Sequence, residues 1–324
     1  MDITAVIKRP IEKELLSFRE VFDSSLETLN PLLKEVLSYI RRRNGKMMRP
    51  MLTMLVAKSF GNLTEGAYHA AATLEMLHTA SLVHDDVVDE SKERRGQPSV
   101  NAAFTNRISI LVGDYLLSTA LHHAALTRNA DIVEVVARLG QNLSEGEILQ
   151  LSNIGNEELS EEVYLEIIRK KTAVLFASCA QLGAMSAGAT PEEVERFRLF
   201  GEKVGICFQI KDDIFDYYDS NEIGKPTGND MLEGKITLPA LHAVKCYGNE
   251  RTAELVRKVK GGTASAEEIA ELIAFTKEHE GMTYAESVMN DYRKEASDLL
   301  CAVKNDEIRR SLEAYLSYVI DRTK

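Results

Sequence analysis

Apolar residues recur at helical spacing along nearly the whole chain. Leu15, Phe18, Phe22 and Leu26 share one face of a first helix, and Met51, Leu52, Leu55 and Val56 share one face of another near Pro50. Runs that alternate apolar and polar residues between turn signals are nearly absent, so strands are not expected. Helix starts are marked chemically. Thr190-Pro191-Glu192-Glu193 places a capping residue, a proline and a glutamate in order, and Ser265-Ala266-Glu267-Glu268 and Thr283-Tyr284-Ala285-Glu286 read as capping boxes. Gly261-Gly262 and Gly281 read as breaks before the latter two. The pattern predicts an all-α fold of ten or more helices, several apolar enough to be buried on most faces. No low-complexity linker divides the chain and no repeat period is present, so residues 1–324 are expected to form a single domain.

Composition narrows the class. The 324 residues are 44% hydrophobic and 27% charged, enough to bury a core. Against 39 Lys+Arg stand 50 Asp+Glu, for a net charge of −11, which makes nucleic acid an unexpected partner. No apolar run is long enough to span a bilayer. The N-terminal stretch mixes charged and apolar residues and does not resemble a secretory signal. Cys179, Cys207, Cys246 and Cys301 have no CxxC spacing or disulfide framework, which points to a reducing, cytoplasmic setting.

Two acidic clusters carry the candidate chemistry. They are Asp85-Asp86-Val87-Val88-Asp89 and Asp212-Asp213-Ile214-Phe215-Asp216. On a helix, Asp85 and Asp89 project side by side, as do Asp212 and Asp216. A solvated acidic face is the alternative for either cluster alone. Like charges one turn apart repel, however, and both clusters follow apolar stretches, so structure alone does not favour the pattern twice. Each pair is a hard-oxygen claw suited to Mg²⁺, and two of them predict two cavity walls holding more than one ion against a diphosphate.

Basic residues lie close by in sequence: Lys46 and Arg49, Arg94 and Arg95, Lys170 and Lys171 before Thr172, then Lys225 and Lys235. Singly each reads as surface charge; together they form a set of phosphate donors. His78, on the helix leading to Asp85, is a candidate diphosphate ligand. His84 and the His122-His123 pair read as structural, the pair lacking carboxylate spacing for zinc. No nucleophile with an activating base is evident.

In chain order, GKMMRP, HDDVVDESKERRG, GEILQ, KKTAVLF, FQIKDDIFD and GKPTGNDMLEGKITLP resemble the motifs of the trans-isoprenyl diphosphate synthases, or polyprenyl synthetases. No charged motif position departs from the family pattern. Beyond Pro239 no motif is found, only helical character. The resemblance implies antiparallel helices around a deep cavity, usually in a homodimer, and condensation of an allylic diphosphate (dimethylallyl, geranyl, farnesyl or geranylgeranyl) with isopentenyl diphosphate. It implies that Asp85, Asp86, Asp89, Asp212, Asp213 and Asp216 bind Mg²⁺ and the allylic diphosphate, and that Arg94, Lys171 and Lys225 hold that diphosphate. Lys46, Arg49, His78 and Arg95 would hold isopentenyl diphosphate. Lys235 joins the substrate-binding set, and Gln209 and Thr172 would line the reacting carbons. An allylic cation would be quenched by the isopentenyl double bond, and the proton then lost to the departing diphosphate.

A growing chain would pass along the helix below Asp85. Leu77, Ala80 and Ser81 sit there, and none is an aromatic plug. The alternative is that the small Ala80 and Ser81 simply allow helices to approach. The tunnel reading, with the look of the segment from Ala80 onward, implies an all-trans product of roughly C30 to C50, octaprenyl at the centre, for quinone side chains. Product release would involve transient membrane contact. Geranylgeranyl diphosphate synthesis is the alternative within the family. A class I terpene cyclase is disfavoured because the second motif is again DDxxD, and a non-catalytic subunit of a heteromeric synthase because both motifs are intact.

Overall fold

The computed structural model describes residues 2–42, 45–94, 96–154, 156, 160–218 and 228–322. In chain order the helices are α1 (Ile3–Lys8), α2 (Glu12–Ser24), α3 (Pro31–Arg41), α4 (Met48–Lys58), α5 (Glu65–Val88), α6 (Val100–Ala103), α7 (Asn106–Leu126), α8 (Ala130–Ile154), α9 (Glu161–Ile168), α10 (Val174–Ser186), α11 (Pro191–Phe215), α12 (Asn229–Leu232), α13 (Leu238–Tyr247), α14 (Glu250–Lys260), α15 (Ala266–Glu278), α16 (Gly281–Leu300) and α17 (Asp306–Asp321). A 3₁₀ turn at Arg9–Ile11 joins α1 to α2, and a π-turn at Arg169–Ala173 joins α9 to α10. The expected all-α class is found. Among the described residues the sole sheet is a two-residue hairpin, β1 (Glu93–Arg94) against β2 (Gln97–Pro98).

Two compact units emerge from the packing. One comprises Met1–Gly140, Leu175–Leu199 and Leu300–Tyr315; the other comprises Gln141–Val174, Phe200–Leu299 and Leu316–Lys324. In the first unit α5 packs most extensively along α7. Ala70, Ala71, Ala72, Leu74, Leu77 and Ala80 of α5 are buried, so this helix is apolar nearly all round. In the second, Tyr217, Met231, Leu255, Val259, Leu272 and Ile273 form a core among α12, α14 and α15.

Capping chemistry matches the sequence at two of three places. The Glu193 amide donates to Thr190 Oγ1 and the Thr190 amide to Glu193 Oε2, opening α11. Ser265 and Glu268 cap each other in the same way at α15. The reading at Thr283 is corrected: α16 begins at Gly281, so Thr283 lies inside the helix. The chain turns at Glu280, which has a φ of 60°. Gly281 is not a break but a close contact, because a Cβ there would lie 2.5 Å from the Pro239 carbonyl. Near Pro50, α4 starts earlier, at Met48, after Met47 in the left-handed region.

Candidate active site

In the first unit, Asp85 and Asp89 close the last turn of α5, with the Asp89 amide donating to the Asp85 carbonyl at 2.8 Å. Asp89 is exposed and Asp85 partly so. The middle residue behaves differently. Asp86 is 2% exposed and accepts a charge-assisted bond from Arg94 Nε on β1 at 2.6 Å. The hairpin that carries Arg94 therefore anchors the inner aspartate. A 60 Å³ cavity here is lined by Gly45, Glu75, His78, Asp86 and Arg94. Arg49, just inside α4, lays its guanidinium 5.2 Å from the Phe176 ring centre. Its Nε is buried with no hydrogen-bond partner among the described residues. Lys46 is exposed. Ser81 donates to the His78 carbonyl at 2.9 Å, while Ala80 and Leu77 are buried. Arg95 lies outside the described residues.

The second unit repeats this division. Asp212 and Asp216 span one turn at the end of α11, with the Asp216 amide donating to the Asp212 carbonyl at 3.2 Å. Both are partly exposed, whereas Asp213 is 3% exposed. Asp213 Oδ2 accepts from Tyr164 Oη at 2.6 Å and its Oδ1 from Gln209 Nε2 at 2.8 Å. Gln209 Oε1 accepts from Thr172 Oγ1 at 2.7 Å. The Asp216 carboxylate accepts the amides of Asn229 and Asp230, the first residues of α12, at 3.0 and 3.1 Å. Burial pushes the Asp213 carboxyl well above the usual range, with the nearby Asp230 adding to it and the two donors opposing it. Asp230 is itself pushed up to about 6 by burial and by Asp216.

Lys171 sits in the π-turn, and its ammonium meets Glu147 of α8 at 2.5 Å. A Cβ at Gly146 would come within 2.9 Å of the Lys171 amide, so the approach of α8 to this turn requires glycine. The two lysines that interrupt the apolar segment both lie in this π-turn, where each pairs with a glutamate of α8. A 140 Å³ cavity is lined in part by Lys171, Thr172, Gln209, Asp213, Asp230 and Lys235. Lys235 also pairs with Glu233. Lys225 lies outside the described residues.

Four contributors had no role in the sequence reading. Glu147 lies within GEILQ, where pairing with Lys171 could have been suspected from charge alone. Tyr164 carries no signal of its own, whereas Asp230 lies within GKPTGNDMLEGKITLP, where it had no separate role. Arg322 follows α17, in the stretch without motifs, and donates to Asp212 Oδ1 at 2.7 Å and to the Phe208 carbonyl at 3.0 Å. The two histidine readings also have a place in the structure. His84 Nε2 lies 3.2 Å from the Ile110 carbonyl, and the buried His123 lies between Ser25 and His69.

The donor set suits a divalent metal of the Mg²⁺ type. Each motif presents two outer carboxylates one helical turn apart, all oxygen, while the inner one is clamped. Among the described residues no three or more His, Cys, Asp or Glu side chains are gathered as a complete metal site. Such an ion keeps waters and substrate oxygens beside one or two carboxylates, so these partial claws are the appropriate kind.

The sequence profile of the family described as polyprenyl synthetase matches residues 30–276. The chain belongs to the polyprenyl synthetase family. As a polyprenyl synthetase it is a prenyltransferase, a trans-polyprenyl diphosphate synthase. It is 36% identical over 293 residues to octaprenyl diphosphate synthase of Haemophilus influenzae, covering 90% of this chain and 89% of the relative. The crystal structure of geranylgeranyl pyrophosphate synthase from Bacteroides thetaiotaomicron is 51% identical, with a TM-score of 0.88, over 99% of this chain and 100% of that one. Polyprenyl synthase from Caulobacter crescentus, solved with calcium and isoprenyl diphosphate, is 30% identical, with a TM-score of 0.91, over 98% of each chain. No helix among the described residues is long and apolar enough to cross a membrane.

Proposed function

We propose that this polyprenyl synthetase condenses an allylic diphosphate with successive isopentenyl diphosphates to an all-trans long-chain polyprenyl diphosphate, roughly C30 to C50, with octaprenyl as the central expectation. The observation that carries the reading is the shared build of the two aspartate motifs, with outer carboxylates one turn apart and the inner one buried and clamped. Asp85, Asp89, Asp212 and Asp216 would hold Mg²⁺, more than one ion in all. Asp86 and Asp213 complete the motifs, each held by a donor from another element.

Bound Mg²⁺ would neutralise the diphosphate as a leaving group. Arg94, and Lys171 with Lys225, are the donors proposed for the allylic diphosphate; Lys235 adds a further ammonium. Lys46, Arg49 and His78, with Arg95, hold isopentenyl diphosphate, and the buried, unpartnered Nε of Arg49 supports an anion there. Gln209 and Thr172 turn fixed dipoles toward the carbons where positive charge develops.

Both units belong to one polyprenyl synthetase domain, a reading supported by the family match extending across residues of each. The chain works as a homodimer in the cytoplasm, with transient membrane contact for product release. Exposed Ile110, Leu117 and Leu121 on α7, spaced along one helical face, support a partner helix there.

A geranylgeranyl product is the second reading, favoured by the 51% identical geranylgeranyl pyrophosphate synthase. Incubation of the pure chain with Mg²⁺, labelled isopentenyl diphosphate and each allylic diphosphate, followed by chromatography of the dephosphorylated products, separates them. Main products beyond about C30 support the long-chain reading, and a stop at about C20 replaces it with the second. Absence of any linear prenyl product removes both.

A further inference from the structure

The hydrogen-bond chain around Asp213 ends on a residue to which no motif assigns a role. Tyr164 is buried on α9, just ahead of the π-turn that carries Lys171 and Thr172. Its hydroxyl donates to Asp213 Oδ2 at 2.6 Å. Gln209 Nε2 donates to the other oxygen at 2.8 Å, and Thr172 Oγ1 donates to Gln209 Oε1 at 2.7 Å. The four side chains form one directed chain, from Thr172 through Gln209 to Asp213, with Tyr164 closing the far end.

We infer that Tyr164 is a positioning residue for the reacting centre: by pinning Asp213 it sets the amide orientation of Gln209, and through Gln209 the hydroxyl of Thr172. The inference rests on the proposed placing of Gln209 and Thr172 beside the reacting carbons. A glutamine amide has two orientations, related by exchange of its oxygen and nitrogen, and only its partners choose between them. With Tyr164 donating to Oδ2, Asp213 Oδ1 accepts from Gln209 Nε2 at 2.8 Å, and this bond turns Nε2 there. Oε1 is then left for the Thr172 proton, and the Thr172 lone pairs stay available. Without the Tyr164 donor, Asp213 Oδ2 has no side-chain partner among the described residues, the carboxylate is released to rotate, and both amide orientations become accessible. Dipoles aimed at developing charge assist the reaction only while their direction is held. The loss therefore falls on the chemical step more than on binding of diphosphates, which are held by other residues.

Tyr164→Phe keeps the ring packing and deletes one oxygen. It should lower kcat about 10- to 100-fold, the range for outer partners of a polar site. The KM for isopentenyl diphosphate should stay within about threefold. Thr172→Val should cause a comparable loss, and the double variant should be no worse than the poorer single one, because both cut the same chain. Multiplying losses, or a wild-type kcat in Tyr164→Phe, would overturn the inference. A second measurement needs no turnover. With selective ¹⁵N-glutamine labelling, the Gln209 side-chain amide should give two well-separated proton shifts in the wild type, and Tyr164→Phe should draw them together. An unchanged pair also overturns it. If the wild type forms no prenyl product, the reading of the reaction fails, while the amide spectrum still decides whether Tyr164 orients Gln209.

Discussion

Arg322 donates Nη2–H to Asp212 Oδ1 at 2.7 Å, and its guanidinium carbon lies 3.9 Å from the centre of the Phe208 ring. The first carboxylate of the second aspartate motif is thus tied to the C-terminal end of the chain. The guanidinium is mostly buried, and burial disfavours its charge while Asp212 supports it. This pairing separates two effects that alanine at the aspartates would otherwise merge.

Asp85→Ala and Asp212→Ala should each lower turnover at least ~10²-fold at saturating Mg²⁺, the scale for losing a transition-state charge stabiliser. Asp212→Ala should also lose more stability than Asp85→Ala, by about 1 kcal/mol, because it leaves the Arg322 guanidinium without its carboxylate. Steady-state rates and thermal unfolding of both variants test this. Near-normal turnover in either would sink the two-claw reading, and equal Tm values would remove the structural part.

Substrate roles should divide by residue. Lys46→Ala and Arg49→Ala should raise KM for isopentenyl diphosphate more than for the allylic partner. Lys171→Ala, which also frees Glu147, should do the reverse or lower kcat. Varying each substrate at saturation of the other measures the split. The same ratio of effects in all three variants contradicts it.

Product length should respond to Ala80, which is 2% exposed on α5. Ala80→Phe adds a ring below Asp85 and should shorten the main product to about C15 to C20 without abolishing condensation. Overpacking at this site should cost about 1–3 kcal/mol, so product analysis belongs below the lowered Tm. An unchanged product distribution would mean that Ala80 is only a helix contact.

Acid should weaken the first unit through His123. Its Nδ1 lies 2.9 Å from His69 Nδ1 and its Nε2 2.5 Å from Ser25 Oγ, with His122 beside it and Glu65 near His69. Burial, then the neighbouring imidazoles, lower it from 6.5 to about 4. The unfolded chain therefore takes up this proton at higher pH than the folded one. The stability due to neutral His123 is complete above about pH 6.5 and is lost as the pH falls towards 4. Thermal midpoints across that range should fall more steeply for the wild type than for His123→Asn. Parallel curves would assign the acid lability elsewhere.

By itself the chain determined its helical class and its chemistry. Apolar spacing at 3.6 residues and the caps at Thr190 and Ser265 are local signals, since one turn of helix contains all the partners. The two DDxxD motifs are equally local: separation by four residues puts Asp85 by Asp89 and Asp212 by Asp216 whatever surrounds them. Local spacing could not separate the inner aspartates from the outer ones. That distinction depends on Arg94 arriving on a hairpin beside Asp86, and on Tyr164, which stands 49 residues before Asp213 in sequence. The Arg322–Asp212 pair spans 110 residues and leaves no trace in either segment. The start of α16 was hidden in the same way: Thr283 and Glu286 have capping-box spacing, but the helix begins at Gly281, where the Pro239 carbonyl leaves no room for a Cβ. Burial, not spacing, separates two identical side chains, one open to solvent and one held by a distant donor, and burial exists only once the distant segments have met.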